Sequence, residues 1–216
     1  MKLSESAYLK FKELLFAGDV RPGQFVSQRE LVKLTGIPLG PMREALQRLE
    51  VEGLVQIVAQ RGIQVIEASL RLIRDTYQLR ILIEKEAAAK YAETVADAEI
   101  EELEEAHRRV VAEAGKNGLS ETLLNEAQDV DWRLHDSIVE ALGNAIILKI
   151  HRINNDRIKL IRLAHGKLTL LTPGTFNHAM AEHLAVIEAI KRRDPAAAAA
   201  AMENHLSTAM RRALGF

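Results

Sequence analysis

Asp131 and His135 stand four residues apart, with Ala127, Val130, Leu134, Ile138 and Leu142 at neighbouring positions of the same helical face. A carboxylate and an imidazole among apolar positions need partners, because an unpaired polar group is costly to bury. His183 falls at helical spacing with Met180, Leu184 and Ile187, and His205 with Met202, Leu206 and Ala209. His183 precedes Asp194 by eleven residues and His205 follows it by eleven. An antiparallel helix hairpin turning at Arg193–Asp194 brings these two imidazoles to one level. A third helix presenting Asp131 and His135 then completes a set of three imidazoles and one carboxylate. That set suits Zn²⁺, and also Ni²⁺, Fe²⁺ or Mn²⁺, with positions left for water or an oxygen ligand. The plainer alternative is four separately hydrogen-bonded core residues. His107, His151, His165 and His178 show no comparable grouping.

The elements that must position these groups are helices. No proline falls between Met42 and Thr172, and proline is excluded from helix interiors because it lacks the N–H and clashes with the preceding turn. Apolar periodicity predicts helices over 69–93, 97–114, 120–142, 144–165, 175–192 and 195–214. Breaks are expected at 94–97, 115–118, 143, 166–174 and 193–194. Asp194-Pro195 followed by six alanines joins an N-cap, a proline at the first position and the best helix former.

The first 68 residues have a different plan. Ser4 is a candidate cap for a helix running to about Ala17. Ser27 and Glu30 form a capping-box pattern for a short helix, Gln28 to Thr35, that Gly36 ends. Pro41 suits the first turn of a third helix running to about Glu52, and Gly53 stops it. Val55 and Ile57, then Ile63 and Val65, alternate with glutamines around a loop ending in Gly62, the pattern of a β-hairpin. Three short helices and a hairpin make a winged helix-turn-helix. Its recognition helix would present Gly40, Pro41 and Arg43 to the major groove, Arg43 being able to make a bidentate contact to guanine. Gly40 and Pro41 permit close backbone approach to a phosphate. Arg61-Gly62 at the hairpin tip suits the minor groove or the DNA backbone. The fold expected is mainly α: an N-terminal winged helix-turn-helix over 1–68, then an all-α antiparallel bundle of about six helices over 69–216.

Composition narrows the class. The chain has 216 residues, 48% apolar and 27% charged, which is globular rather than disordered. It contains no cysteine, so disulfides, thiolate nucleophiles and Cys-zinc sites are excluded. Net charge is near +1 for residues 1–68 and −2 for the rest, so bulk charge announces no nucleic acid and the argument rests on particular arginines. The opening residues carry no apolar leader and no run is long enough to span a membrane, so a cytoplasmic location is expected.

The segment ELVKLTGIPLGPMREALQRLEVEGL, with RPGQFVSQREL upstream and QRGIQV downstream, resembles the DNA-binding domain of GntR-type bacterial transcription regulators. The resemblance implies DNA contacts by Arg29, Arg43 and Arg61-Gly62. Many members have Ser-Arg-Thr where this chain has Pro38-Leu39-Gly40, so the arginine that often reads a base is missing at Leu39 and an altered operator is expected. Residues 70–214 resemble the all-helical effector-binding FCD domain of the FadR-like branch, in a shorter VanR-type arrangement. The shared pattern is Asp131-x3-His135, Glu182-His183 with Ala189-Ile190, and His205.

This second resemblance implies a divalent metal bound by Asp131, His135, His183 and His205 at the base of a pocket for a small carboxylate effector. It also implies that Arg80, four residues before Glu84, faces the pocket; a solvent-exposed ion pair is the plainer alternative. Asn154 and Arg157, on an isoleucine-rich helix, are further pocket candidates. The function expected is a ligand-responsive repressor acting as a homodimer on palindromic double-stranded DNA. Two rivals share the same residues. One is a metal-dependent hydrolase or isomerase with Glu182 as base; the other is a constitutive DNA-binding protein with a purely structural metal.

Overall fold

The computed structural model describes residues 1–164 and 172–216. The expected break at 166–174 lies partly outside them, as does His165. Two compact units emerge: residues 1–73 with 155–167, and residues 74–154 with 168–216.

In the first unit, α1 (Leu3–Ala17), α2 (Gln28–Thr35) and α3 (Leu39–Val51) accompany a sheet of β1 (Phe25–Val26), β2 (Val55–Val58) and β3 (Gly62–Val65). Helix α2 begins where the sequence places it: the Ser27 hydroxyl accepts from Glu30 N–H at 3.1 Å while the Glu30 carboxylate accepts from Ser27 N–H at 2.8 Å. Ser4 is not a cap. Helix α1 starts earlier, with Lys2 at the N-cap and no side-chain cap. Helix α3 also starts earlier, so Pro41 is its third residue, still within the turn whose N–H groups have no intrahelical acceptor. The hairpin pairs β2 with β3 antiparallel, Ile57 opposite Ile63 and Val55 opposite Val65. A third strand escaped the sequence reading: Phe25 and Val26 pair with Gln64 and Ile63, giving the order β1-β3-β2. Two residues are too few to show alternation.

Gly62 is required where β3 leaves the turn. Its φ is +102°, and a Cβ there would lie 2.8 Å from the Val26 carbonyl oxygen. Close pairing of β1 with β3 thus excludes any side chain at this position. The core of this unit joins Phe11, Leu15, Leu31, Met42, Leu46, Leu49, Leu54 and Ile63 to Leu160.

Six helices follow among the described residues: α4 (Leu70–Thr94), α5 (Asp97–Asn117), α6 (Glu121–Glu140), α7 (Ala145–Ala164), α8 (Pro173–Lys191) and α9 (Pro195–Leu214). Helix α5 passes through Gly115 and ends at Gly118, whose φ is +74°. Asp194 caps α9 by accepting from Ala197 N–H at 2.9 Å, and Pro195 fills the first turn. The second unit buries two apolar clusters. One joins α4, α6, α8 and α9 through Ala88, Tyr91, Leu134, Ile138, Ile187 and Leu206. The other joins α5, α6 and α8 through Val110, Leu123, Val130, Phe176 and Met180. The described chain contains no helix long and apolar enough to cross a membrane.

Candidate functional site

Asp131 and His135 lie one turn apart on α6, His183 is on α8 and His205 on α9, and all four are buried. Each offers a ligand-type atom within 4.8 Å of those of the other three. The His183 and His205 rings are 4.5 Å apart across the α8–α9 hairpin, and His135 stacks 5.3 Å from His205. His183 Nε2 lies 3.3 Å from Asp131 Oδ1, and His135 Nε2 lies 3.7 Å from the same oxygen.

Carboxylates behind the cluster fix two of the imidazoles. His135 Nδ1–H donates to Glu84 Oε2 at 2.6 Å, which leaves Nε2 as the lone-pair nitrogen; that atom is buried and makes no hydrogen bond. His205 Nδ1–H donates to Glu182 Oε2 at 2.9 Å. The carboxylates are held in turn. Arg80 Nε donates to Glu84 Oε1 at 2.6 Å, and Arg212 makes a bidentate pair with Glu182 at 3.1 and 2.9 Å.

The electrostatics follow from this arrangement. Burial, with Arg80 nearby, pushes the His135 imidazole down to about 4. Burial outweighs the Glu182 hydrogen bond and lowers His205 to about 4 as well. Burial works to raise Glu84, but Arg80 and His135 together hold it well below the usual carboxylate range. Glu182 is likewise opposed by burial yet held near 2 by His205 and Arg212. Both imidazoles are therefore neutral at pH 7, the form that ligates a metal, and both outer carboxylates are charged. Glu182 is unsuited to act as a general base, since it is committed to two donors and is hard to protonate.

Arg80 is not the exposed ion-pair partner of the plainer alternative: it is only 1% exposed. Asn154 is buried, donates to the Thr76 carbonyl at 3.0 Å, and has its Oδ1 buried without a hydrogen-bond partner. Arg157 is not brought to the cluster. It belongs to the first unit, where its Nε donates to the Glu52 carbonyl at 3.0 Å. The sequence reading also passed over His107 and His151. His107 is buried on α5, its ring 5.2 Å from that of His183. His151 Nε2 bonds Asp136 Oδ1 at 2.9 Å, and its Nδ1 lies 3.8 Å from Glu84. His107 sits at helical spacing with Ile100, Leu103 and Val110, a signal as good as the one that singled out His183.

In the first unit, Arg29, Arg43 and Arg61 are exposed. Arg43 Nε donates to Gln28 Oε1 at 3.1 Å, linking the starts of α3 and α2. The Arg61 guanidinium lies 4.4 Å over the Phe25 ring. Phe25 and Gln28 are three residues apart, so the wing tip and both helix starts converge on one short segment. Gly40 is exposed with nothing near its Cα hydrogens, and the start of α3 has no side-chain cap.

A winged helix-turn-helix joined to an all-helical unit defines a DNA-binding transcription regulator. The sequence matches the FCD domain family over residues 75–208 and the bacterial regulatory proteins of the gntR family over residues 3–65. The chain belongs to the GntR-type regulators that carry an FCD domain. It is 27% identical to the HTH-type transcriptional repressor NanR of Enterobacter sp. (strain 638), over 96% of this chain and 84% of that protein. It is 26% identical to the HTH-type transcriptional repressor GlaR of Escherichia coli (strain K12), over 95% and 93%. The solved structure of E. coli McbR/YncC superposes with a TM-score of 0.78 at 17% identity, covering 100% of this chain and 98% of that one, which establishes the shared fold. NanR and GlaR are both named as transcriptional repressors.

Proposed function

We propose that the chain is a repressor, working as a cytoplasmic homodimer, whose winged domain (1–68) binds a palindromic operator and whose helical domain (69–216) binds a divalent metal and a small carboxylate effector. The observation that carries the metal reading is the buried cluster of Asp131, His135, His183 and His205. The donor set fits: a buried imidazole lone pair on His135 is left without a hydrogen bond while its other nitrogen is fixed by Glu84. Zn²⁺ suits three imidazoles and a carboxylate; Ni²⁺, Fe²⁺ and Mn²⁺ remain chemically compatible. When bound, the metal supplies a positive centre to which an effector oxygen can coordinate.

Arg80 and the open Oδ1 of Asn154 support a polar effector in the same unit. Exposed apolar residues in the helical unit, Leu82 on α4 and Ile146 on α7, are consistent with cover by a second copy. Effector binding shifts the operator-binding equilibrium only by its difference in affinity for the two states.

Arg29, Arg43, Arg61, Gly62 and the Gly40–Pro41 helix start carry the DNA reading. With an operator fragment selected from genomic DNA, Arg43→Ala is expected to weaken binding by about 1–3 kcal/mol if it reads a guanine. Discrimination at one base pair should relax in the same variant. Unchanged affinity and unchanged base preference would remove Arg43 from the interface. Operator affinity unmoved by Zn²⁺ and by every small acid tried would leave the helical domain a dimerisation module.

A further inference from the structure

Two side chains that belong to neither the recognition helix nor the wing hold an arginine of each. Gln28 is the first residue of α2, and the Ser27–Glu30 capping box fixes the helix start there. Its Oε1 accepts from Arg43 Nε at 3.1 Å, across from α2 to α3. An arginine Nε–H only donates, so the glutamine turns its carbonyl oxygen, and not its amide nitrogen, toward α3. A bidentate contact to guanine takes two parallel N–H groups from one edge of a guanidinium. With Nε engaged by Gln28, the two terminal nitrogens of exposed Arg43 are left for that contact.

The wing arginine is held differently. The Arg61 guanidinium carbon lies 4.4 Å over the Phe25 ring, well inside the range of a cation–π contact. The backbone brings the two together. A Cβ on Gly62 would fall 2.8 Å from the Val26 carbonyl oxygen and 3.4 Å from the Ser27 Cα, so β3 leaves its turn tight against the residues that follow Phe25. Arg61 N–H closes the turn on the Val58 carbonyl at 3.1 Å. The tip backbone is thereby fixed, and the side chain is the part with freedom left to lose. Phe25 has no place in the core: it is exposed, whereas its neighbour Val26 is buried.

We infer that Phe25 and Gln28 are positioning residues for operator binding, holding Arg61 and Arg43 in the free protein in the conformations that meet DNA. An arginine that is free must surrender side-chain freedom on binding, and one already held surrenders less. Neither Phe25 nor Gln28 has to touch DNA to do this. Gln28 acts on base preference, because Arg43 is the residue at base edges. Phe25 acts on overall affinity, because Arg61 serves the minor groove or the DNA backbone. This inference rests on the assignment of Arg43 and Arg61 to the DNA interface above.

The test is a pair of double-mutant cycles on the full chain, read as affinity for the selected operator fragment and for the same fragment with single base pairs exchanged. Ordering one long side chain on binding costs about 2–10-fold in affinity. Gln28→Met, which keeps the length and removes the acceptor, should lose that much discrimination at the base pair Arg43 reads, and should lose nothing further in an Arg43→Ala background. Phe25→Leu should weaken all fragments alike within the same range, Phe25→Tyr should bind as wild type, and Phe25→Leu should add nothing to Arg61→Ala. Wild-type binding by Gln28→Met and Phe25→Leu, or losses that simply add to those of the arginine variants, overturns the inference and leaves the DNA reading intact. Wild-type binding by Arg43→Ala and Arg61→Ala overturns both. Should a variant fail to fold, ¹⁵N relaxation of the arginine Nε–H groups in the free wild type decides. Arg43 and Arg61 are expected to be more ordered than exposed Arg29, and equal mobility of all three contradicts the inference.

Discussion

Glu84→Ala is expected to destabilise the helical unit of the metal-stripped protein by about 3–5 kcal/mol, because it leaves the Arg80 guanidinium buried without its counter-charge. Arg80 is 1% exposed, and both its Nε and one terminal nitrogen face Glu84. Glu84 also accepts from His135, so the substitution strands a second donor. The measurement is urea denaturation followed through Trp132, the single tryptophan, which lies on α6 beside Asp131. A double variant, Arg80→Met with Glu84→Leu, should recover most of the loss, since an apolar pair can replace a buried ion pair with little penalty. Recovery should stop short of wild type, because His135 Nδ1–H remains without an acceptor. A Glu84→Ala change below about 1 kcal/mol would mean that water or another anion reaches Arg80.

The second large effect is a loss of stability in mild acid. His107, His135 and His205 each titrate near 4 in the folded chain, against an ordinary value of 6.5. Between pH 6.5 and 4 the unfolded chain binds more protons at these positions than the folded one, so stability falls as pH falls. The contribution is complete above pH 6.5 and is lost on passing below 4. Each group accounts for about 3 kcal/mol taken alone, and the stacked pair His135 and His205 do not add independently. Glu84 and Glu182, both lowered, act in the same direction at still lower pH. Urea midpoints of metal-stripped protein at pH 7, 6, 5 and 4 should therefore fall steeply, with a flatter response in His107→Phe. A midpoint independent of pH over this interval would show that these imidazoles are hydrated or already paired with protons.

Both predictions depend on partners that local sequence signals identify unequally. The ligand-type residues were legible because each interrupts an apolar helical stripe, and the equal spacing of His183 and His205 from Asp194 sets their level. The capping box at Ser27, the Asp194 cap and the two hairpin strands were legible for the same local reasons. The outer shell was not. Glu84 and His135 are 51 residues apart and Glu182 and His205 are 23 apart, and no periodicity pairs them. An Arg80–Glu84 pair at i, i+4 looks the same in sequence whether it faces water or a core. Arg157 shares the isoleucine-rich periodicity of α7 with Asn154, yet the chain passes from one unit to the other between Asn154 and Asn155. The strand Phe25–Val26 exists only because β3 offers it an edge, a tertiary cause with no local signature.

The central claim is that four buried groups hold one metal ion, and elemental analysis tests it most directly. Untagged protein purified without chelator should carry about one divalent metal per chain, and His183→Ala should carry none while keeping its helical circular dichroism. Metal-free wild-type protein that stays so after incubation with Zn²⁺, Ni²⁺ and Mn²⁺ would contradict the claim, and would make Asp131, His135, His183 and His205 a polar core that meets its effector directly.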